Sequence, residues 1–290
     1  MSPSSAPSLV EVLIRGAATV ESEVRSQKNH INPYGYTPTL YVCALFVALF
    51  GLSTLLHLGQ AVSTKKWYLL PTVVLGGCGE IIGWAARLWS SQNVLNGTPF
   101  LMQASNTTII APTFLAAANF IILGTIIKRV GPQYSRLAPN NYAIIFVSID
   151  LVALVIQAIG GGMASAATQK VDGNPNNGGH VMLIGIIVQL VEIFVYVVLA
   201  SGFFRNYAAR RAGRLAEGSG EMDGSTRLMS YGLAFSTLFL FIRAVYRTIE
   251  LSNGWHGRII HTQVYFNVLD GAMIVLSMYT INFIHPGMLL

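Results

Sequence analysis

Apolar residues gather into seven runs, each closed by a short polar break. The runs cover residues 39–62, 67–90, 107–128, 142–162, 180–203, 229–250 and 264–284. A hydrocarbon layer about 30 Å thick takes roughly 20 apolar residues of helix to cross, and every run is long enough. The breaks carry chain-turning pairs: Asn96-Gly97, Gly131-Pro132, Asp172-Gly173-Asn174-Pro175, Gly218-Ser219-Gly220 and Asn253-Gly254. The pattern predicts an all-α integral membrane protein, a bundle of seven transmembrane helices forming one domain over 39–285. Residues 1–38 form a tail before it and 286–290 a short end after it. A basic loop at about 204–228 joins the fifth and sixth helices, and both the tail and residues 209–226 are expected to be mobile. Gly160–Gly162 are expected to end the fourth helix.

The positions of Lys and Arg orient the bundle. The first, third and fifth breaks hold Lys65, Lys66, Lys128, Arg129, Arg136, Arg205, Arg210, Arg211, Arg214 and Arg227, whereas the second, fourth and sixth hold Lys170 and Arg258. Cytoplasmic loops are the basic ones, so the N-terminus is expected outside and the C-terminus in the cytoplasm. The glycosylation sequons at Asn96 and Asn106 both fall at the second break, outside on this topology.

Composition agrees with the pattern. Charged residues make up 10% of the 290 residues against 53% apolar, too few to clothe a soluble surface, where about 25% is usual. The basic residues form no compact patch interleaved with aromatics, so nucleic acid is not an expected partner. No phosphate-cradling G-x-x-x-x-G-K-[ST] loop occurs, which argues against direct use of ATP. Cys43 and Cys78 lie inside apolar runs and read as reduced core residues. Residues 1–38 lack the apolar core of a cleavable signal.

Ionic side chains inside the runs change the picture most. Glu80, Arg87, Asp150, Glu192, Arg243, Arg247, Glu250 and Asp270 all lie within predicted spans. Asp, Lys or Arg at mid-membrane costs about 2.5–3.5 kcal/mol on insertion scales, so such residues must pair or meet water. Their spacing is helical: Glu80 with Arg87, Asp150 with Gln157, Gln189 with Glu192 and Tyr196, Arg243 with Arg247 and Glu250, and Gln263 with Asp270 and Ser277 each share one face. Five helices thus carry a polar stripe, and the stripes are expected to converge. The predicted depths give a polar cavity open to the outside with a carboxylate-rich floor. Purely structural pairing, such as Arg87 with Glu80 or Arg247 with Glu250, is the competing reading. Five acids face three arginines, however, which leaves at least two carboxylates without a basic partner.

The charged residues also sit in a recognisable order. Glu80-Ile81-Ile82-Gly83-Trp84-Ala85-Ala86-Arg87 resembles the E-x-x-G-aromatic-x-x-R signature of the fungal lipid-translocating exporter (RTA-like) family. Tyr36-Thr37-Pro38, Ala111-Pro112-Thr113-Phe114-Leu115-Ala116-Ala117, and Asp150 through Gln157 to Gly160-Gly161-Gly162 are similar to that family as well. So are Arg243-Ala244-Val245-Tyr246-Arg247-Thr248-Ile249-Glu250 and the stretch from Tyr265 through Asp270 to His285-Pro286-Gly287. The resemblance covers about 34–287. The chain departs from the family at Gln263, where an acid is usual, and near Phe120, where a Tyr is common. The resemblance implies a seven-helix fungal protein, often of the plasma membrane, with members linked to sphingoid-base release, resistance to toxic amphiphiles and porphyrin or haem movement.

Export of an amphipathic, lipid-like molecule is the function this reading expects, with Glu80, Arg87, Asp150, Gln157, Glu192, Arg243, Arg247, Glu250 and Asp270 lining the ligand site. An amine head would seek Asp270, Glu250 or Asp150, and a phosphate or propionate would seek Arg243 and Arg247. No cofactor is required. Haem as a ligand is the alternative, with His57, His180 or His261 as candidate axial ligands, although His57 could equally bond Ser53 or Thr54 one turn back. A receptor-like sensor and a zinc-dependent intramembrane lipid hydrolase are further alternatives. The hydrolase is disfavoured because His256 and His261 are five residues apart beside a loop.

Overall fold

The computed structural model describes residues 34–105, 109–168, 174–214, 222–254 and 257–290, together with Arg15. Among these the regular structure is helical throughout. Seven helices are long and apolar enough to cross a membrane: Leu40–Thr64, Trp67–Gln92, Ala111–Val130, Pro139–Ala167, Pro175–Ala209, Gly224–Ser252 and Gln263–Leu289. They are called the first to seventh spans below. A short helix, Gly97–Ser105, lies between the second and third, and Asn96 Oδ1 accepts from the Thr98 N–H at its start (3.0 Å). Asn106 lies outside the described residues.

Consecutive spans pack side by side, and the seventh returns to the first, so the helices form a closed bundle. The third span also touches the second, fourth and sixth. It is 72% buried, against 28–56% for the others, which makes it the interior helix. The bundle is turned inside out relative to a water-soluble protein. Its exterior presents Leu45, Leu52, Leu55, Leu151, Val155, Val191, Phe194 and Phe235, while the charged residues of the spans are buried. Lipid makes that arrangement favourable, because apolar tails solvate the exterior and offer ions nothing. Two aromatic cores fill the interior. One stacks Phe46 on Trp84 at 4.0 Å between ring centres; the other joins Phe120, Phe146 and Tyr196.

Four expectations are corrected. Gly160–Gly162 do not end the fourth helix, which runs unbroken over Pro139–Thr168. A side chain at Gly160 would strike the Met182 nitrogen and the Gly178 oxygen, and one at Gly178 would strike Ala164. These glycines let the fourth and fifth backbones approach closely, the usual role of small residues between membrane helices. Part of the basic loop at 204–228 is helix, since the fifth helix continues to Arg214. At 1.5 Å per residue its 40 residues reach about 60 Å, roughly twice the hydrocarbon thickness. Cys43 is buried, but Cys78 is exposed on the outer face of the bundle. The His57 Nε2 contacts the Met278 carbonyl across to the seventh span (3.1 Å) rather than a hydroxyl of its own helix.

Two spans depart from α-helical winding. The second opens with a 3-10 turn at Trp67–Leu69 followed by a π-turn at Leu70–Val74, and the seventh contains a longer π-turn, Phe266–Ala272, with Asp270 inside it. A π-turn inserts residues into the helical register and is common at functional sites. Here it brings Asp270 fully inside the bundle while Gln263, seven residues earlier, stays half-buried and accepts from Thr39 Oγ1 (3.1 Å).

Candidate functional site

All five predicted stripes face inward, but they meet as two groups rather than around one axis. The first group joins the second, sixth and seventh spans. Arg243 Nε stands 2.8 Å from Asp270 Oδ1, and Arg247 pairs with Glu250 one turn along its own helix. Tyr246 donates to the other Glu250 oxygen (2.9 Å). The Arg243–Asp270 contact is ionic rather than a directed hydrogen bond, since the N–H points off the oxygen. Glu80 is fully buried beside Asp270 and Arg243, and neither of its oxygens meets a hydrogen-bond donor among the described residues.

Arg87 does not pair with Glu80. Its Nη2 donates to the Tyr36 hydroxyl (2.6 Å) and its Nη1 to Gln103 Oε1 (3.0 Å). The guanidinium lies over the ring of Phe266 at 4.5 Å, with the rings of Tyr34, Tyr36 and Trp84 within 5.7 Å. Such a cage solvates a cation by its π-faces. Tyr34 donates to Ser90 Oγ (2.9 Å), and its carbonyl meets His261 Nδ1 at 2.8 Å. Arg87 thereby ties the segment before the first span, the short helix and the sixth connection into one cap. Gly35 permits the turn, with φ at +70° and no room for a side chain beside His261. Burial pushes the Tyr34 phenol up to about 12 and raises that of Tyr36, so both stay neutral at ordinary pH.

The second group joins the third, fourth, fifth and sixth spans. Gln157 Nε2 donates to Gln189 Oε1 (2.8 Å), and Gln189 Nε2 donates in turn to Asp150 Oδ1 (3.1 Å) and Thr113 Oγ1 (3.2 Å). Glu192 lies within hydrogen-bonding reach of Asp150. Asp150 Oδ2 and Glu192 Oε1 nevertheless find no donor among the described residues. Both carboxyls border a cavity of about 40 Å³, also lined by Thr113, Phe120, Gln189 and Arg243. The cavity begins at Pro112, at the end of the bundle that carries the even-numbered connections. It is polar enough and roomy enough for water.

A third set of polar residues combines Tyr196 and Ser277, both on predicted stripes, with Asn119, Ser236 and Asn282, which the sequence reading did not single out. Asn119 donates to Ser236 Oγ (3.0 Å), Ser236 meets Ser277 (2.8 Å), and Tyr196 donates to the Asn119 carbonyl (3.1 Å). Four spans are latched by these neutral contacts, and Asn282 bonding Ser53 adds the first. For Asn119, Ser236 and Asn282 the available signal was a single amide or hydroxyl in an apolar run.

The histidines proposed as axial ligands are not brought together. His57 is buried against the seventh span, His180 is exposed at the start of the fifth, and His261 belongs to the cap. Among the described residues no three His, Cys, Asp or Glu side chains converge as metal ligands.

Seven apolar spans around a buried polar interior define a multi-pass membrane protein. The chain belongs to the RTA1 like protein family, which matches over residues 73–290. It is 28% identical over 282 residues to the sphingoid long-chain base transporter RSB1 of Saccharomyces cerevisiae, covering 87% of this chain and 73% of that protein. Protein RTA1 of the same yeast is 24% identical, with 84% and 81% covered. The probable lipid transporter atnI of Emericella nidulans is 25% identical, with 89% and 68% covered. No solved structure matches the chain.

Proposed function

We propose that the chain exports an amphipathic, lipid-like molecule carrying a cationic head, of the long-chain-base type, without altering it chemically. One observation carries the reading: Asp150 and Glu192 border a cavity with no basic residue bound to either among the described residues. Arg243, the basic residue of the lining, is already held by Asp270, and Arg247 by Glu250. An anionic head would therefore meet arginines that are occupied, whereas an ammonium would meet two open carboxyls. The apolar body of the ligand would lie along the lipid-facing sides of the spans. The names of the yeast and Emericella relatives support this substrate class.

Ten Lys and Arg residues at the odd connections against two at the even ones support an N-terminus outside and a C-terminus in the cytoplasm. On that orientation the cavity lies toward the exterior, and Asn96 is available to a glycan. The plasma membrane is the site of export. The test is release of labelled dihydrosphingosine from loaded yeast cells. Cells expressing the chain should release it at least tenfold faster than cells expressing D150N/E192Q, with surface amounts of the two proteins equal. Equal release from both would overturn the assignment.

A further inference from the structure

The paired acids of the cavity have chemistry that export alone does not explain. A carboxylate oxygen can only accept a hydrogen bond. Asp150 Oδ1 is served by Gln189, but Asp150 Oδ2 and Glu192 Oε1 have no donor among the described residues, and the two residues are 3% and 4% exposed. Two bare carboxylates side by side in a low-dielectric wall repel each other and lack solvent. A single proton held between the two carboxyls supplies the pair with the donor it lacks and removes one charge.

Among the described residues the charged groups around the pair leave no other source of neutralisation. Arg243 approaches from the sixth span and is engaged by Asp270 of the seventh. The fifth span adds Gln189 and the third Thr113, both neutral, and Gln157 of the fourth faces Gln189. We infer that Asp150 and Glu192 share one exchangeable proton, and that a cationic head entering the cavity displaces it. This rests on the export reading above and deepens it, because it makes the site a proton-for-cation exchanger. In the step, one O–H bond of the pair breaks, the proton leaves to cavity water, and two carboxylates then flank one ammonium. Total charge is conserved and no covalent bond of the ligand changes. The proton belongs to the pair rather than to one member.

The test uses the purified full chain in weakly buffered detergent solution with a pH indicator. The probe is N,N,N-trimethylsphingosine, whose positive charge has no proton to lose. Wild-type protein should release about one proton per molecule of probe bound, and its affinity should weaken about tenfold for each unit by which pH falls below neutrality. Glu192→Gln and Asp150→Asn should each abolish the release, while Cys78→Ser, on the exposed side of the second span, should release as the wild type does. Binding without release overturns the exchange and leaves the export reading standing. Unchanged release from both pair variants also overturns it, by placing the proton elsewhere. Failure of the probe to bind contradicts both readings.

Discussion

The two halves of the interior use the same residue types to opposite ends. Around the second, sixth and seventh spans every buried arginine is committed: Arg243 to Asp270, Arg247 to Glu250, and Arg87 to Tyr36, Gln103 and an aromatic cage. Around the third, fourth and fifth spans two acids share a cavity wall with no base bound to them among the described residues. The contrast teaches that intramembrane charge is not one category. Where an arginine is within reach, the charges hold helices together. Where it is missing, the same carboxyl is left open to water, a proton or a ligand. Glu80 lies between these cases, buried against the Arg243–Asp270 pair yet outside the cavity lining.

The comparison breaks first at the committed pairs. Arg247→Ala strands Glu250 in the interior, which should destabilise the fold by about 3–5 kcal/mol, read as a large fall in the detergent unfolding midpoint. If the midpoint holds, the pair is not a pin. Glu192→Gln is the counterpart on the cavity side. It keeps shape and removes a charge with no bound base, so stability should change by about 1 kcal/mol or less while long-chain-base release collapses. A loss of stability matching that of Arg247→Ala would erase the distinction between the two regions.

Smaller effects sharpen it. Gly160→Val drives a side chain into the backbone of the fifth span and should cost about 1–3 kcal/mol, with cavity binding weakened because the fourth and fifth spans carry the paired acids. Tyr36→Phe removes one hydrogen bond to a charged group, worth about 1.5–3 kcal/mol, and its effect should stay local. Hydrogen exchange should quicken at residues 34–36 and in the short helix while the spans remain protected. The smallest effect is alkaline. The Tyr34 phenol is raised by burial to about 12, so the folded cap favours the neutral ring. Its contribution is complete below pH ~10, the ordinary tyrosine value, and is lost as pH rises toward the folded one. Exchange at the cap should accelerate only in that window.

Much of this was legible in the chain. Seven apolar runs gave seven spans, because a bilayer imposes a length that composition alone can reveal. Seven-residue spacing put Glu80 with Arg87 and Asp150 with Gln157 on inward faces, because helical periodicity is local. Partner choice was not local. Arg87 finds Tyr36 and Gln103, 51 and 16 residues away, instead of the acid two turns back. His57 likewise finds Met278 across the bundle. Gly160 misled for a different reason. A glycine run stops helices in water, where exposed backbone is solvated. In lipid the backbone must stay bonded, and the missing side chain serves packing instead. The π-turn around Asp270 left no mark in the spacing of its neighbours.

The cavity can take a cationic head only if its two acids lack a fixed basic partner. Infrared difference spectra of purified wild-type protein against D150N/E192Q read this directly. They should show one protonated carboxylic acid in the resting protein that disappears when trimethylsphingosine is added. Two permanently ionised carboxylates, unchanged by the probe, would mean that a base neutralises the pair after all.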